Sequence, residues 1–145
     1  MIARPGRDRD IEGRTVRAIE AWRARSGLGL LYFVDEEGDR RASLAPEQTL
    51  ETLTDADLSA VWERAVPLTP TERRIRDDDG RVWLIQGFGP VWAETGGAAD
   101  AVGTRIRCLT HEIPPLRLEA VIPLVLDDAA ALAAIDEHVA SAGAA

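Results

Sequence analysis

The chain has 145 residues, which is enough for one domain to bury a core without disulfides or structural metal. Its net charge is −8, all 17 of its basic residues are arginine, and Cys108 is its only cysteine. The lack of lysine excludes Schiff-base chemistry, pyridoxal phosphate attachment and a P-loop, and a single cysteine excludes both an intramolecular disulfide and a cysteine-based zinc site.

The N-terminal part of the chain is basic and the remainder is acidic. Residues 1–26 hold seven arginines and four acidic residues, whereas ten arginines and twenty-one acidic residues follow. We expect residues 1–9 to be a flexible basic lead-in, because Pro5 and Gly6 disfavour regular structure, and residues 10–145 to form a single domain. The lead-in lacks the apolar run of a secretory signal, and no stretch approaches the ~18 apolar residues of a membrane span. These features predict a cytoplasmic protein that does not bind membranes.

The first third of the chain is predicted to contain a helix and two strands. Apolar residues at helical spacing, including Trp22, predict an N-terminal helix from about residue 14 to residue 25. Residues 28–34 form a nearly continuous apolar run, which is typical of an interior strand. Residues 40–44 can pair back against it as the next strand.

A middle helix is predicted to begin after Thr54. The Thr54 side chain and Asp57 are spaced as a capping box, and Leu53 and Leu58 stand at the two positions of a hydrophobic staple. Apolar residues then follow the helical period, and Pro67 ends the helix.

A hairpin is predicted within residues 72–94, closed by a two-residue Asp79-Gly80 turn. That register sets Arg76 opposite Trp83 and Arg74 opposite Ile85. One face would then combine arginine and large apolar side chains, a mixture enriched at protein interfaces. The alternative is that a helix covers this face. The candidate partner-binding residues are Arg74, Arg76, Trp83 and Ile85.

Two further strands and a C-terminal helix complete the predicted fold. The strands are expected over residues 104–110 and 116–122, where Pro123 places the second at a sheet edge, and the helix over residues 128–140 with Asp127 as its N-cap. The strands come in hairpin-like pairs, which predicts an α+β fold with one mainly antiparallel sheet of about five to six strands and three helices, N-terminal, middle and C-terminal. No internal repeat is visible.

No group of residues with a catalytic or metal-binding pattern emerges. Asp77–Asp79 are read as a solvated turn, because consecutive strand residues point to opposite faces. Cys108 and His111 have opposite parity and cannot form a nucleophile and base on one strand. The Gly87–Pro90 segment lacks the third glycine of a nucleotide loop. We therefore expect no catalytic residues, no cofactor and no metal.

The leading hypothesis is a non-enzymatic cytosolic module that binds a protein partner, or a second copy of itself as a homodimer, through a sheet face or edge. The alternative is a small hydrolase or isomerase whose dispersed Asp, Glu, His or Arg residues are brought together by folding. The net charge disfavours nucleic-acid binding, since only the predicted N-terminal helix is densely basic. Element order and acidity resemble those of small secretion chaperones, and the small acidic character resembles immunity proteins of bacterial toxin systems. No motif carries either resemblance, so both are analogies of fold and charge.

Overall fold

The computed structural model describes residues 2–88 and 103–143. They divide into two compact units, one of residues 2–68 and the other of residues from 69 onwards. Each unit contains an antiparallel sheet and one helix, so the α+β class and the antiparallel pairing are confirmed. The described residues form two sheets and two helices instead of the predicted one sheet and three helices. Neither helix is both long and apolar enough to span a membrane. The expectation of a single domain stays a prediction.

The first unit is a five-stranded meander with one helix inserted before its last strand. Its elements are β1 (Gly6–Ile11), β2 (Arg14–Arg23), β3 (Gly29–Val34), β4 (Arg40–Leu44), α1 (Asp55–Arg64) and β5 (Val66–Pro67), and the sheet order follows the chain. The capping box at Thr54 is present as predicted, with the Thr54 hydroxyl accepting from the Asp57 N–H and the Asp57 carboxylate accepting from the Thr54 N–H. Strand β1 includes residues 6–9 of the segment that was expected to be a flexible lead-in.

The predicted N-terminal helix is wrong, because residues 14–23 form strand β2. A bulge lies between Glu20 and Trp22, and both faces of the strand carry buried apolar side chains, as Val16 and Ile19 show. Because both faces are apolar, Val16, Ile19 and Trp22 are spaced by three along the chain, which imitates the spacing of a helix. Pairing with β1 and β3 on its two sides overrides the local helical preference.

The core of the first unit lies between α1 and one face of its sheet. The ring of Trp62 on α1 meets Phe33 on β3 edge-to-face, with centroids 5.2 Å apart, and the guanidinium of Arg40 lies 4.3 Å from the Trp62 centroid. The buried cluster contains Val16, Ala18, Leu31, Phe33, Ala42, Leu44, Leu50, Leu53, Leu58, Val61 and Trp62.

The second unit is a four-stranded meander followed by a helix. Its elements are β6 (Arg73–Arg76), β7 (Val82–Phe88), β8 (Gly103–Cys108), β9 (Leu116–Glu119) and α2 (Asp128–Gly143), and the sheet order is β6-β7-β8-β9. Residues 95–103 are small and rich in glycine and alanine, which predicts a flexible loop, and almost all of them lie outside the described residues. Helix α2 covers one face of the sheet, and Asp127 caps it by accepting from the Ala130 N–H at 2.7 Å. The buried cluster contains Ile75, Trp83, Ile85, Ile106, Cys108, Ile113, Ala131 and Ile135.

The predicted hairpin exists, but its register is shifted by one residue. Ile75 pairs with Trp83, where the prediction had placed Arg76. A two-residue turn of type I′ needs positive φ at both central residues, and here only Gly80, with φ of 82°, has it. The Asp77 carboxylate instead accepts from the N–H groups of Asp79 and Arg81, and the Gly80 N–H bonds to the Asp77 carbonyl. These bonds hold a wider turn with a glycine bulge.

The two units repeat one topology, in which four antiparallel strands in chain order are followed by a helix on one face. The first hairpin of each carries similar residues, RDRDIEGR at 7–14 and RIRDDDGR at 74–81, identical at five positions. Gly13 and Gly80 both have φ of 82°, and the residue after each is an arginine bound to a buried aspartate. The turns themselves differ, because Glu12 also has a positive φ of 53° and Ile11 pairs with Arg14 across a two-residue turn. The helix starts also match, as LTDA at 53–56 and LDDA at 126–129. The two units therefore share a strand order and a helix that follows the fourth strand.

Candidate functional site

The four sequence-predicted site residues do not share one face. Trp83 and Ile85 are 0% exposed and belong to the core beneath α2. Arg74 and Arg76 lie on the opposite face, because Arg74 pairs with Leu84 and Arg76 with Val82. The one-residue register shift separates the two pairs. Burial of Trp83 and Ile85 argues against direct contact of either with a partner.

Asp77 holds the turn, an arginine and the buried tryptophan together. Its carboxylate accepts from the Trp83 indole N–H at 3.0 Å and from the Arg81 Nε at 2.6 Å. Burial acts to raise the pKa of Asp77, but the hydrogen bonds from Trp83 and Arg81 outweigh it and leave that pKa below its ordinary value. The carboxylate is thus committed to the structure and is not poised for proton transfer.

Arginines cover the sheet face that points away from α2. Strand register places Arg117 on β9 directly opposite Arg105 on β8. Arg107 follows on β8, and Arg74 and Arg76 lie on β6 on the same face. The pKa of Arg105 is lowered, chiefly by burial of its guanidinium and then by repulsion from Arg117. We call this the arginine face, and it consists of Arg74, Arg76, Arg105, Arg107 and Arg117. Such a face attracts carboxylates.

Strand β9 is an edge of the second sheet. Among the described residues it pairs with β8 on one side only. Leu116 and Leu118 point toward α2 and pack partly against the core, whereas Arg117 and Glu119 are exposed on the arginine face. A cavity of about 300 Å³ lies between β9 and α2, lined by Leu116, Leu118, Ala134, Glu137, His138 and Ser141. The edge therefore offers backbone groups, an apolar groove on one side and charge on the other.

The segment that follows β9 exposes three aliphatic side chains. Ile122, Leu124 and Val125 are 60%, 63% and 74% exposed, although they lie within four residues of one another. We call residues 120–127 the apolar loop. It also lines a cavity of about 330 Å³ whose walls are mostly aliphatic. Clustered exposed aliphatic side chains mark interaction surfaces more often than isolated ones do.

The apolar loop is held firmly in place from beneath. The Arg73 guanidinium donates to the carbonyls of Pro123 and Leu126 and pairs with the Asp128 carboxylate at 3.3 Å. Thr104 donates its hydroxyl to the Val121 carbonyl at 2.8 Å. The loop side chains are therefore exposed in a conformation that hydrogen bonds already hold in place. Less conformational entropy is lost when such a loop binds a partner.

The residues with catalytic potential have structural partners. Cys108 is buried beneath α2, and the His111 Nδ1 lies 2.9 Å from the Thr110 hydroxyl. The Nε2 of His138 lies 2.6 Å from the Pro114 carbonyl and ties α2 to the segment before β9. Within residues 2–88 and 103–143, no three acidic, histidine or cysteine side chains cluster as metal ligands would.

Sequence reasoning had only weak signals for this edge. Pro123 indicated that the preceding strand lies at or leaves a sheet edge, and Arg105 and Arg107 alternate with apolar residues along β8. The exposure of Ile122, Leu124 and Val125 was not foreseen, because an apolar run beside a strand is usually buried. Their anchor, Arg73, lies 50 residues before the loop it holds.

Comparison with known proteins gives no relative from which to transfer a function. No protein-family model, no curated protein and no solved structure matches this chain.

Proposed function

We propose that this chain is a cytoplasmic, non-enzymatic protein-interaction module that binds an extended segment of a protein partner at strand β9. The observation that carries the proposal is the outer edge of β9, which has no strand paired to it within the part of the chain that the structure describes, flanked by the anchored apolar loop. An extended segment can add to such an edge as a further strand, gaining main-chain hydrogen bonds from the edge and specificity from alternate side chains. The single cysteine is in keeping with a reducing compartment.

The first unit supplies an internal example of strand addition at the corresponding position. Strand β4 is the fourth strand of its unit, as β9 is of the second. There the segment after the helix returns as β5 and pairs antiparallel with β4, with Val66 opposite Arg41 and Pro67 opposite Arg40. Among the described residues, β9 has no such added strand. The topology thus accepts one further strand at this place.

The two sides of β9 define the chemistry of the partner segment. Side chains that point toward α2 meet Leu116, Leu118 and the groove beside them, so they should be aliphatic. Side chains that point the other way meet Arg117, so they should include carboxylates. A segment in which aliphatic and acidic residues alternate satisfies both requirements. Arg74 and Arg76 lie on β6, at the far side of the sheet, and their part in binding stays a prediction.

The proposal is tested with a synthetic peptide in which valine and glutamate alternate. Titration into the isotope-labelled protein should shift the amide resonances of Leu116–Glu119 and of the apolar loop. Leu124→Asp combined with Val125→Asp should weaken binding at least tenfold, since both exposed side chains can be replaced without disturbing the core. Leu28→Asp, at an exposed leucine of the first unit, is the matched control and should bind normally.

Two results would contradict the proposed site. One is a peptide that fails to bind at any concentration up to the millimolar range, and the other is binding that both variants leave unchanged. Arg76→Ala extends the test to the far side of the sheet. A loss of affinity in that variant alone would move the site from β9 to β6.

A further inference from the structure

We propose that the β9 edge is occupied by the β9 edge of a second copy of this chain, in a two-fold symmetric dimer centred on Leu118. This inference rests on the proposed function, because it uses the same edge and names the partner. It follows from which side chains would lie opposite each other if an edge strand paired with the same strand of a second copy. A dimer with a two-fold axis perpendicular to the sheet pairs residues of equal parity, so each edge can be tested by its own sequence.

Strand β9 reads Leu-Arg-Leu-Glu and is complementary to itself. With the axis at Leu118, the Arg117 of each copy lies opposite the Glu119 of the other, which creates two ion pairs on the exposed face. Leu118 lies opposite its own copy on the α2 side, next to the cavity of about 300 Å³. Opposite charges placed directly across two strands stabilise their pairing. The acidic and aliphatic residues expected of a partner segment are thus present in β9 itself.

The neighbouring two-fold register is unfavourable. Moving the axis to Arg117 sets that guanidinium against its own copy and leaves Glu119 opposite Pro115. Like charges directly opposite are destabilising, and Arg117 already repels Arg105 within its own sheet. The charges therefore select the register centred on Leu118.

The other edge strands of the described residues cannot pair with themselves in this way. On β1, arginines occupy one parity and aspartates the other, so a two-fold register centred on any of residues 7–10 opposes equal charges. On β6, Arg74 and Arg76 share one parity, so a two-fold register centred on Ile75 sets the Arg74 of one copy opposite the Arg76 of the other. Strand β5 has two residues, and Pro67 lacks the N–H that a ladder needs. Among these four edges, β9 is the one whose charges attract its own copy.

The contact is small, so the dimer should be reversible. A four-residue strand and the apolar loops fall near the lower end of specific interfaces, which places the dissociation constant in the micromolar range or above. Sedimentation velocity over a wide range of protein concentrations is the measurement, and circular dichroism checks the fold of each variant.

Charge reversal across the proposed axis provides the test. Arg117→Glu or Glu119→Arg alone should raise the dissociation constant about tenfold or more, because each sets equal charges opposite each other at two places. The double variant, Arg117→Glu with Glu119→Arg, should return it to within about threefold of the original. Arg25→Glu and Glu51→Arg change net charge equally at exposed sites of the first unit and should leave dimerisation unchanged.

The outcomes separate this inference from the proposed function. A chain that is monomeric at every concentration, a dimer indifferent to both single reversals, or a double variant that does not recover would each overturn the dimer. Peptide binding that still maps to Leu116–Glu119 would then leave the proposed function standing. If the peptide does not bind but the reversals behave as expected, the edge serves self-association, and the binding of other proteins there is contradicted.

Discussion

The indole nitrogen of Trp83 lies 3.0 Å from Oδ2 of Asp77, and both side chains are buried. The bond joins the turn of the β6–β7 hairpin to the centre of the core beneath α2. Because the same carboxylate also binds Arg81 and two backbone N–H groups, one side chain fixes the turn, the register and the tryptophan together. A change at Asp77 should therefore affect folding well beyond the turn.

Replacing Asp77 by alanine should lower the free energy of unfolding by about 3 kcal/mol, because it leaves the buried indole N–H of Trp83 without its acceptor and removes the bonds to Arg81 and to two backbone N–H groups of the turn. Urea titration followed by circular dichroism measures the loss. Asp78→Ala, at the exposed neighbouring position in the same turn, should stay within about 0.5 kcal/mol of the original protein. Equal losses in the two variants would show that the network contributes nothing.

The stability of the protein should fall at acid pH through Asp35 and Asp77. The pKa of Asp35 is lowered chiefly by hydrogen bonds from Arg14, and that of Asp77 is lowered as well. Both folded-state values lie below the unfolded value of about 3.9, so the stabilisation is fully present above that pH and is lost as pH falls through the folded values.

Asp35→Asn and Asp77→Asn should accordingly differ most from the original protein near neutral pH. Urea midpoints at about pH 6 and about pH 3 measure the effect, and the differences should shrink at the lower pH. A gap in stability that stays constant between the two conditions would contradict the assignment. Asp78→Asn serves as the exposed control.

Removing the cap of α1 should have a moderate effect. Thr54→Ala deletes the hydroxyl that accepts from the Asp57 N–H at 3.1 Å, and the expected loss is about 1 kcal/mol. Glu51→Ala, at an exposed site just before the helix, is the control and should be nearly neutral. Thermal unfolding of the two variants side by side measures the difference, and coincident curves would count against a stabilising cap.

The glycines of the two hairpin turns should respond alike to the same substitution, although the turns differ in length. Gly13 and Gly80 both have φ of 82°, and a Cβ added at either meets no atom within 4 Å. Alanine at either position therefore costs backbone strain alone, about 1 kcal/mol in each case. Gly143→Ala, at the end of α2, should be neutral or slightly stabilising. Clearly unequal losses at Gly13 and Gly80 would contradict strain at the shared φ of 82° as the cause.

The elements that sequence predicts well here are those determined by local chemistry. The capping box at Thr54 and the N-cap at Asp127 depend on residues three apart, and both are observed. The strand taken for a helix at residues 14–23 depends on partners that the local pattern does not contain. The hairpin register failed because the Asp77 side chain competes with the backbone for the turn.

The candidate site was harder to predict than the fold. Trp83 and Arg76 were assigned to one surface by counting from a turn, and a single-residue shift moves every side chain of a strand to the other face. The β9 edge depends on which strands find partners, and the exposure of the apolar loop depends on Arg73. Neither the edge position of β9 nor the exposure of the apolar loop can be predicted from the residues next to it in the sequence.

The alternating charges of β1 also bear on the order in which the chain is made. The first unit leaves the ribosome before the second and can begin to fold first. Its outer strand opposes arginine to arginine or aspartate to aspartate in a symmetric contact centred on any of residues 7–10, and Pro67 ends its other side. The unit that is synthesised first is thus the one whose edges are less able to pair with another copy. An assembly through β9 stops at two chains instead of growing into a fibre, because two-fold pairing uses up both edges.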